Sequence, residues 1–258
     1  MLQLRPSLSA RRPSAAAQSL VLPQEGCLCR RLASQRRTAP RSRARPSLRS
    51  SSAPATLEDA LASLAFTHLP VEPPVDVVQR LQLLHSDPPV FLLPGYWPDS
   101  ACQELIAAAL RSGAMGQSSC TSNGVREKGL LGLRTSSSLV LKPQLAARYG
   151  AEQLVRKLHR DLVGVLGLGA GTSPGSITGE YPQVVHYQQG QQFADHEDAF
   201  PLAHARRTNY QRRATLLVYL NDVARGGRTV FPELGLEVRP QRGSALLFFP
   251  SFADGKAH

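Results

Sequence analysis

The stretch YQQGQQFADHED, residues 187–198, opens on a tyrosine, turns at Gly190 and ends in His196-Glu197-Asp198. It follows QVVHY, a short apolar run with the character of a strand. In a loop leaving a strand, residues i and i+2 project to the same side, so a His196 nitrogen and an Asp198 oxygen can converge on one metal ion. Taken alone, such a pair also arises in many solvated polar loops. The flanking sequence has to decide.

Downstream, short strands with tight turns dominate. ATLLVYLND (214–222) is rich in β-formers, and GGRTVFPEL turns on the pair Gly226-Gly227. LEVRPQRGSALLFFP (236–250) reads as two strands joined by a turn at RPQRG. Upstream, helices prevail. TLEDALASLAF (56–66) has helical Leu and Ala spacing, and the middle of VEPPVDVVQRLQLLHSDPP can form another short helix. VFLLPGYW (90–97) reads as a buried strand. In PDSACQELIAAALRSG, Asp99 or Ser100 can cap a helix, Leu105, Ile106 and Leu110 mark its apolar face, and Gly113 stops it. RTSSSLVL (134–141) reads as a strand, and AEQLVRKLHRDLVGVLGL (151–168) as a helix with Leu154, Leu158, Leu162 and Val165 on one side. Helices followed by a run of strands predict an α+β protein whose β part is a sandwich or jelly roll.

The net charge of +11 belongs to one end of the chain. Residues 1–50 hold eleven Arg, no Lys and one acid, Glu25, which leaves a charge of only +1 for the remaining 208 residues. No nucleic-acid groove is therefore read into the folded body. Residues 1–55, rich in Arg, Ser and Ala and poor in acids, have the composition of a plastid or mitochondrial transit peptide. A disordered basic tail, retained against nucleic acid or a membrane surface, is the rival reading. No apolar run is long enough to span a membrane as a helix. Cys102 and Cys120 lie outside this leader, and a single bridge between them is possible.

Several segments, in order, resemble the catalytic core of the prolyl 4-hydroxylases, within the Fe(II)/2-oxoglutarate dioxygenase superfamily. They are VFLLPGYWPDSACQELI, RTSSSLVL, VVHYQQGQQFADHED, RRATLLVYLNDVARGGRTVFPE and RGSALLFFPSFADG. The resemblance covers about residues 88–258, with residues 56–87 as a linker carrying short helices. It implies a double-stranded β-helix (jelly roll) flanked by N-terminal helices, and a dioxygenase that hydroxylates peptidyl proline, of the procollagen-proline 4-dioxygenase type. Fe(II), 2-oxoglutarate as cosubstrate, ascorbate and a proline-containing peptide or protein would be its cofactors and partner. Many members of the family reside in the endoplasmic reticulum, a second possible address.

The resemblance makes His196 and Asp198 two of three ligands in a two-His-one-carboxylate iron site. Tyr187 and Thr229 match the 2-oxoglutarate pocket, and Arg134, Ser136, Glu180 and Arg212 match the peptide-substrate side. Phe193 stands where a Tyr is common. His186 should face away from Tyr187, and His68, His85, His159 and His204 lie in no motif. The family's second ligand His falls beyond the position of His258, the last residue. The expectation is thus a C-terminally truncated member, its last strands missing and its hydroxylase activity small or absent. A non-catalytic jelly-roll binding module is the alternative.

Overall fold

A computed structural model of the 258-residue chain describes residues 2–6, 27–28, 56–67, 75–122, 125–128, 133–165, 177–252 and 254–257. In chain order the elements begin with β1 (Leu2–Pro6), β2 (Cys27–Leu28), α1 (Leu57–Thr67), α2 (Val75–Val78), β3 (Gln82–Ser86), β4 (Pro89–Leu93) and α3 (Asp99–Arg111). Next come β5 (Gly116–Gln117), β6 (Ser119–Ser122), β7 (Val125–Lys128), β8 (Ser137–Val140), α4 (Pro143–Arg148) and α5 (Glu152–Val165). The site-bearing part has β9 (Ile177–Gly179), β10 (Gln183–His186), α6 (Leu202–Thr208), β11 (Ala214–Val218), β12 (Thr229–Phe231), β13 (Leu236–Val238) and β14 (Ala245–Phe248).

The largest sheet has the order β3-β4-β14-β11-β1-β9. Its centre is built from the most apolar runs of the sequence. β14 pairs antiparallel with β4 (Leu247 opposite Phe91) and with β11 (Leu247 opposite Leu216). Side chains alternate between faces, and here both faces are covered, so the runs are continuous rather than alternating. Phe91, Leu93, Ala214, Leu216, Ala245 and Leu247 face α1 and Ala60. Val90, Leu246 and Tyr219 form the opposite cluster with Val238, against which Phe231 and Leu236 of the β12–β13 hairpin pack. Helix α1 starts on a reciprocal cap: the Thr56 backbone N–H donates to Asp59 Oδ2 and the Asp59 N–H to Thr56 Oγ1.

A second core lies between α3, α4 and α5 and the three-stranded sheet β10-β8-β5. Cys102, Leu105, Leu154 and Leu158 meet Leu139, Leu141 and Val184 there. Helices and largely antiparallel sheets make the protein α+β, but the strands are interleaved with the helices rather than following them, and the described strands do not close a barrel.

The structure differs from the sequence reading in several places. The strands within residues 236–250 are not a hairpin: β13 pairs with β12, and β14 enters the large sheet. The intervening turn carries the chain from one sheet to the other. Residues 82–86, at the edge of a helical pattern, form β3 because they pair along β4. Neither Asp99 nor Ser100 caps α3; its N-cap is Pro98, without a side-chain hydrogen bond. Leu110 is 61% exposed, and the buried face runs through Ala101, Cys102, Leu105, Ala108 and Ala109, whose small side chains let the helix approach the sheet. Cys102 is a free buried thiol, so the possible bridge to Cys120 is not formed. Within the segment read as a leader, β1 lies between β11 and β9, and β2 pairs parallel with β6. His68 and His258 lie outside the described residues.

Candidate functional site

The loop carrying His196 and Asp198 runs from β10 to α6. It leaves β10 and turns where the Gln191 backbone N–H donates to the Gln188 carbonyl (3.0 Å), with Gly190 at φ 80°. It then runs beside the residues preceding β8. Thr135 N–H donates to the Gln192 carbonyl (2.9 Å), and Ala194 N–H to the Leu133 carbonyl (2.7 Å). Asp198, Ala199 and Phe200 end the loop in the interior.

The His196 Nδ1 lies 2.9 Å from the Ala194 carbonyl, which can only accept, so Nδ1 carries a proton. Its Nε2 lies 3.3 Å from Asp198 Oδ1. The other carboxylate oxygen, Oδ2, accepts from the Thr215 hydroxyl (3.2 Å). Burial pushes the Asp198 carboxyl up. The hydrogen bond and charge of His196, the charge of Arg212 and the Thr215 hydroxyl outweigh it, and hold the group below its ordinary value. A neutral imidazole with hydrogen on Nδ1 points a lone pair from Nε2 at an anionic oxygen, so the two atoms need a cation between them, a proton or a metal ion. Two cis donors each about 2.1 Å from one ion are about 3 Å apart. The observed spacing therefore fits two adjacent ligands. Among the described residues no group of three His, Cys, Asp or Glu is placed to hold a metal.

Around this pair the protein is heavily cross-tied. Arg212 grips Glu180 bidentately through one guanidinium edge (Nε to Oε1 2.8 Å, Nη2 to Oε2 3.3 Å), and its Nη1 donates to the Asp198 carbonyl (3.1 Å). Both partners are buried. Gln211, which the sequence reading did not single out, uses its whole amide. It accepts from the Phe200 and Arg212 backbone N–H groups (2.8 and 3.0 Å) and donates to the Phe200 and Gly255 carbonyls (2.9 and 2.7 Å). The Ser251 hydroxyl donates to the Arg212 carbonyl (2.8 Å), and the Arg213 guanidinium to that of Phe252. The strip 211–215 thus ties the His196–Asp198 loop to the turn after β14. A glutamine before an apolar strand carries no pattern that announces this; Thr215 and Ser251 are equally silent in sequence.

The other expected site residues fall into separate groups. Arg134 and Ser136 are buried and joined, Arg134 Nε donating to Ser136 Oγ (3.2 Å), with Ser118 Oγ a further 2.9 Å from Ser136 Oγ. Tyr187 follows β10 and is 44% exposed. Thr229, on β12, is hydrogen-bonded to the Tyr219 hydroxyl (2.8 Å). Burial raises Tyr219 to about 12 although the Thr229 bond lowers it. His186 is exposed; His159 lies against Gly179 and His204 against the Phe200 ring.

Residues 182–258 match the family model described as the 2OG-Fe(II) oxygenase superfamily. The chain is 34% identical over 161 residues to "Probable prolyl 4-hydroxylase 11" of Arabidopsis thaliana, covering 60% of this chain and 50% of that protein. It is 30% identical over 188 residues to "Probable prolyl 4-hydroxylase 7" of the same plant, covering 66% and 55%. The chain thus spans about half the length of these curated relatives. Among solved structures, the viral collagen prolyl hydroxylase from Paramecium bursaria Chlorella virus-1, in its 2OG complex, aligns with a TM-score of 0.47 at 22% identity over 66% of this chain and 82% of that one. The sequence likenesses support a prolyl 4-hydroxylase-like 2OG-Fe(II) oxygenase domain in this chain.

Proposed function

We propose that the chain is an Fe(II)- and 2-oxoglutarate-dependent dioxygenase of the prolyl 4-hydroxylase type, acting on a proline-containing peptide or protein, and that its sheets belong to a double-stranded β-helix. The observation that carries this reading is the convergence of His196 Nε2 and Asp198 Oδ1, 3.3 Å apart, inside a segment that matches the oxygenase family.

His196 and Asp198 are the residues that would hold iron. The metal, when bound, supplies the oxidation of an unactivated C–H bond by O₂ that no side chain can perform. The protein's part is to prepare the donors. The Ala194 carbonyl holds the His196 proton on Nδ1, which leaves Nε2 as the donor. Thr215 engages Oδ2 and turns Oδ1 toward Nε2. Against burial, the Arg212 charge and the Thr215 hydroxyl favour the ionised carboxylate. Tyr187 and Thr229 are proposed for the 2-oxoglutarate side, with ascorbate as the reductant that keeps the metal ferrous. Arg134, Ser136, Glu180 and Arg212 are proposed for the substrate side. Their buried, mutually bonded arrangement supports a role as the wall behind a peptide rather than as groups that reach into solvent. An organelle address for residues 1–55, plastid or mitochondrion, is proposed from composition alone.

The test supplies Fe(II), 2-oxoglutarate, ascorbate and a proline-rich peptide, and follows succinate and hydroxyproline. Turnover that disappears in His196→Ala and Asp198→Ala supports the reading. Peptide binding without metal-dependent consumption of 2-oxoglutarate would favour the non-catalytic jelly-roll module.

A further inference from the structure

Three flat groups lie together beside the His196–Asp198 pair. The Phe193 ring and the His196 imidazole are 3.6 Å apart, centroid to centroid, with their planes within 13° of parallel. The Arg134 guanidinium carbon lies over the Phe193 ring at 4.5 Å from its centroid. Arg134 and Phe193 are also paired through their backbones in an antiparallel bridge. Arg134 is fixed in turn by Ser136, which with Ser118 is fully buried. The stack is therefore rooted in the extended segment before β8 and in the hydrogen bonds that hold residues 192–194 against it.

The hydrogen bond from Nδ1 to the Ala194 carbonyl holds one atom of the imidazole. That bond by itself does not set the plane of the ring, and a pivot about it swings Nε2 away from Asp198. A ring face to face at contact distance opposes that pivot, because turning out of parallel drives the two rings into each other. A cation over the ring holds the neighbour itself in place. We infer that Phe193, braced by Arg134, is a positioning residue that fixes the plane of His196 so that Nε2 and Asp198 Oδ1 face one point. The role needs a ring face and no hydroxyl, which fits a phenylalanine at this position. The purpose of the stack rests on the proposed iron site; its existence does not.

The experiment uses the full chain with ¹³C-labelled histidine and reads the His196 ring protons by NMR, assigned from their loss in His196→Gln. In the wild type they should be shielded by the stacked ring. Phe193→Leu should move them downfield, Phe193→Tyr should leave them in place, and Arg134→Met should move them part of the way. A folded Phe193→Leu protein with unmoved His196 signals overturns the inference. Should Phe193→Leu fail to fold, shifts unchanged in Arg134→Met overturn it instead. Titration with Mn(II) alone then separates positioning from packing. Loss of an orienting neighbour should weaken Mn(II) binding about tenfold or more in Phe193→Leu, with recovery in Phe193→Tyr. Equal affinity in wild type and Phe193→Leu, with the ring signals moved, overturns the positioning role. A wild type that binds no Mn(II) sinks the iron reading, and the ring-proton shifts then decide the stack by themselves.

Discussion

Arg212 shows how much one buried charge can organise. Its guanidinium serves Glu180 and the Asp198 carbonyl and lies over the Phe200 ring at 4.7 Å. Removing one member of such a pair strands the other without water. Arg212→Met should cost roughly 3–5 kcal/mol in urea unfolding, and the double variant with Glu180→Met should recover a large part of that loss. A single variant as stable as wild type would mean the pair is solvated in solution. Tyr219 gives a pH signature. Its folded value, about 12, lies above the ordinary value of 10.0, so the folded state holds the phenol proton more tightly than the unfolded chain. That stability is fully present below pH 10 and is lost as pH rises toward 12, by about 2–3 kcal/mol in all. In Tyr219→Phe the corresponding part of the alkaline slope should vanish; an unchanged slope would place the hydroxyl in water.

Among the elements, the turn into β14 is the most constrained. Gly243 has φ 74°, accepts from the Trp97 N–H (2.8 Å) and donates to the Tyr219 carbonyl (2.8 Å). A Cβ there would come within 2.2 Å of the Trp97 carbonyl oxygen. The turn thus locks the end of β4's strand-to-helix connection to β11 and β14. Gly243→Ala combines left-handed backbone strain of about 1 kcal/mol with a backbone clash that no rotamer relieves. Its unfolding midpoint should fall well below wild type, whereas Gly235→Ala, with φ 60° and open space at Cβ, should lose only the strain. Similar losses for the two would show that the Trp97 contact is relaxed in solution. At α1, Thr56→Ala removes one arm of the cap and should cost about 1 kcal/mol, read by the same measurement.

On the scale of the whole molecule, the large sheet is completed from the far end of the chain. β1 pairs with β11 (Leu4 opposite Ala214) and with β9 (Leu4 opposite Gly179), filling the space between them. Deleting residues 1–55 would leave β9 and β11 with facing unpaired edges. The deleted protein should melt at least about 4 °C lower and aggregate with rising concentration. An unchanged melting temperature would show that β1 adds nothing to the sheet, and would sit easily with removal of this segment as a leader.

The sequence by itself determined the central strands and the placing of His196 and Asp198 in one loop. Continuous apolar runs such as VFLL, ATLLV and ALLFF, short and rich in β-formers or bounded by turn residues, read as strands covered on both faces, and the i, i+2 spacing of His196 and Asp198 places both on one side of a loop. These are local properties, set by side-chain alternation and backbone geometry within a few residues. Which strands pair was not local. β13 and β14 are neighbours in sequence, yet their partners are β12 on one hand and β4 and β11 on the other. Tertiary structure alone decided that Gln211 spends all four of its hydrogen bonds on three separate backbone segments. It also decided that Phe193 lies against His196 and that Arg212 closes on Glu180, 32 residues away in the chain. A polar side chain in a sequence carries donors and acceptors without addresses; only the packed chain, where water is excluded and each buried group must find a partner, supplies them.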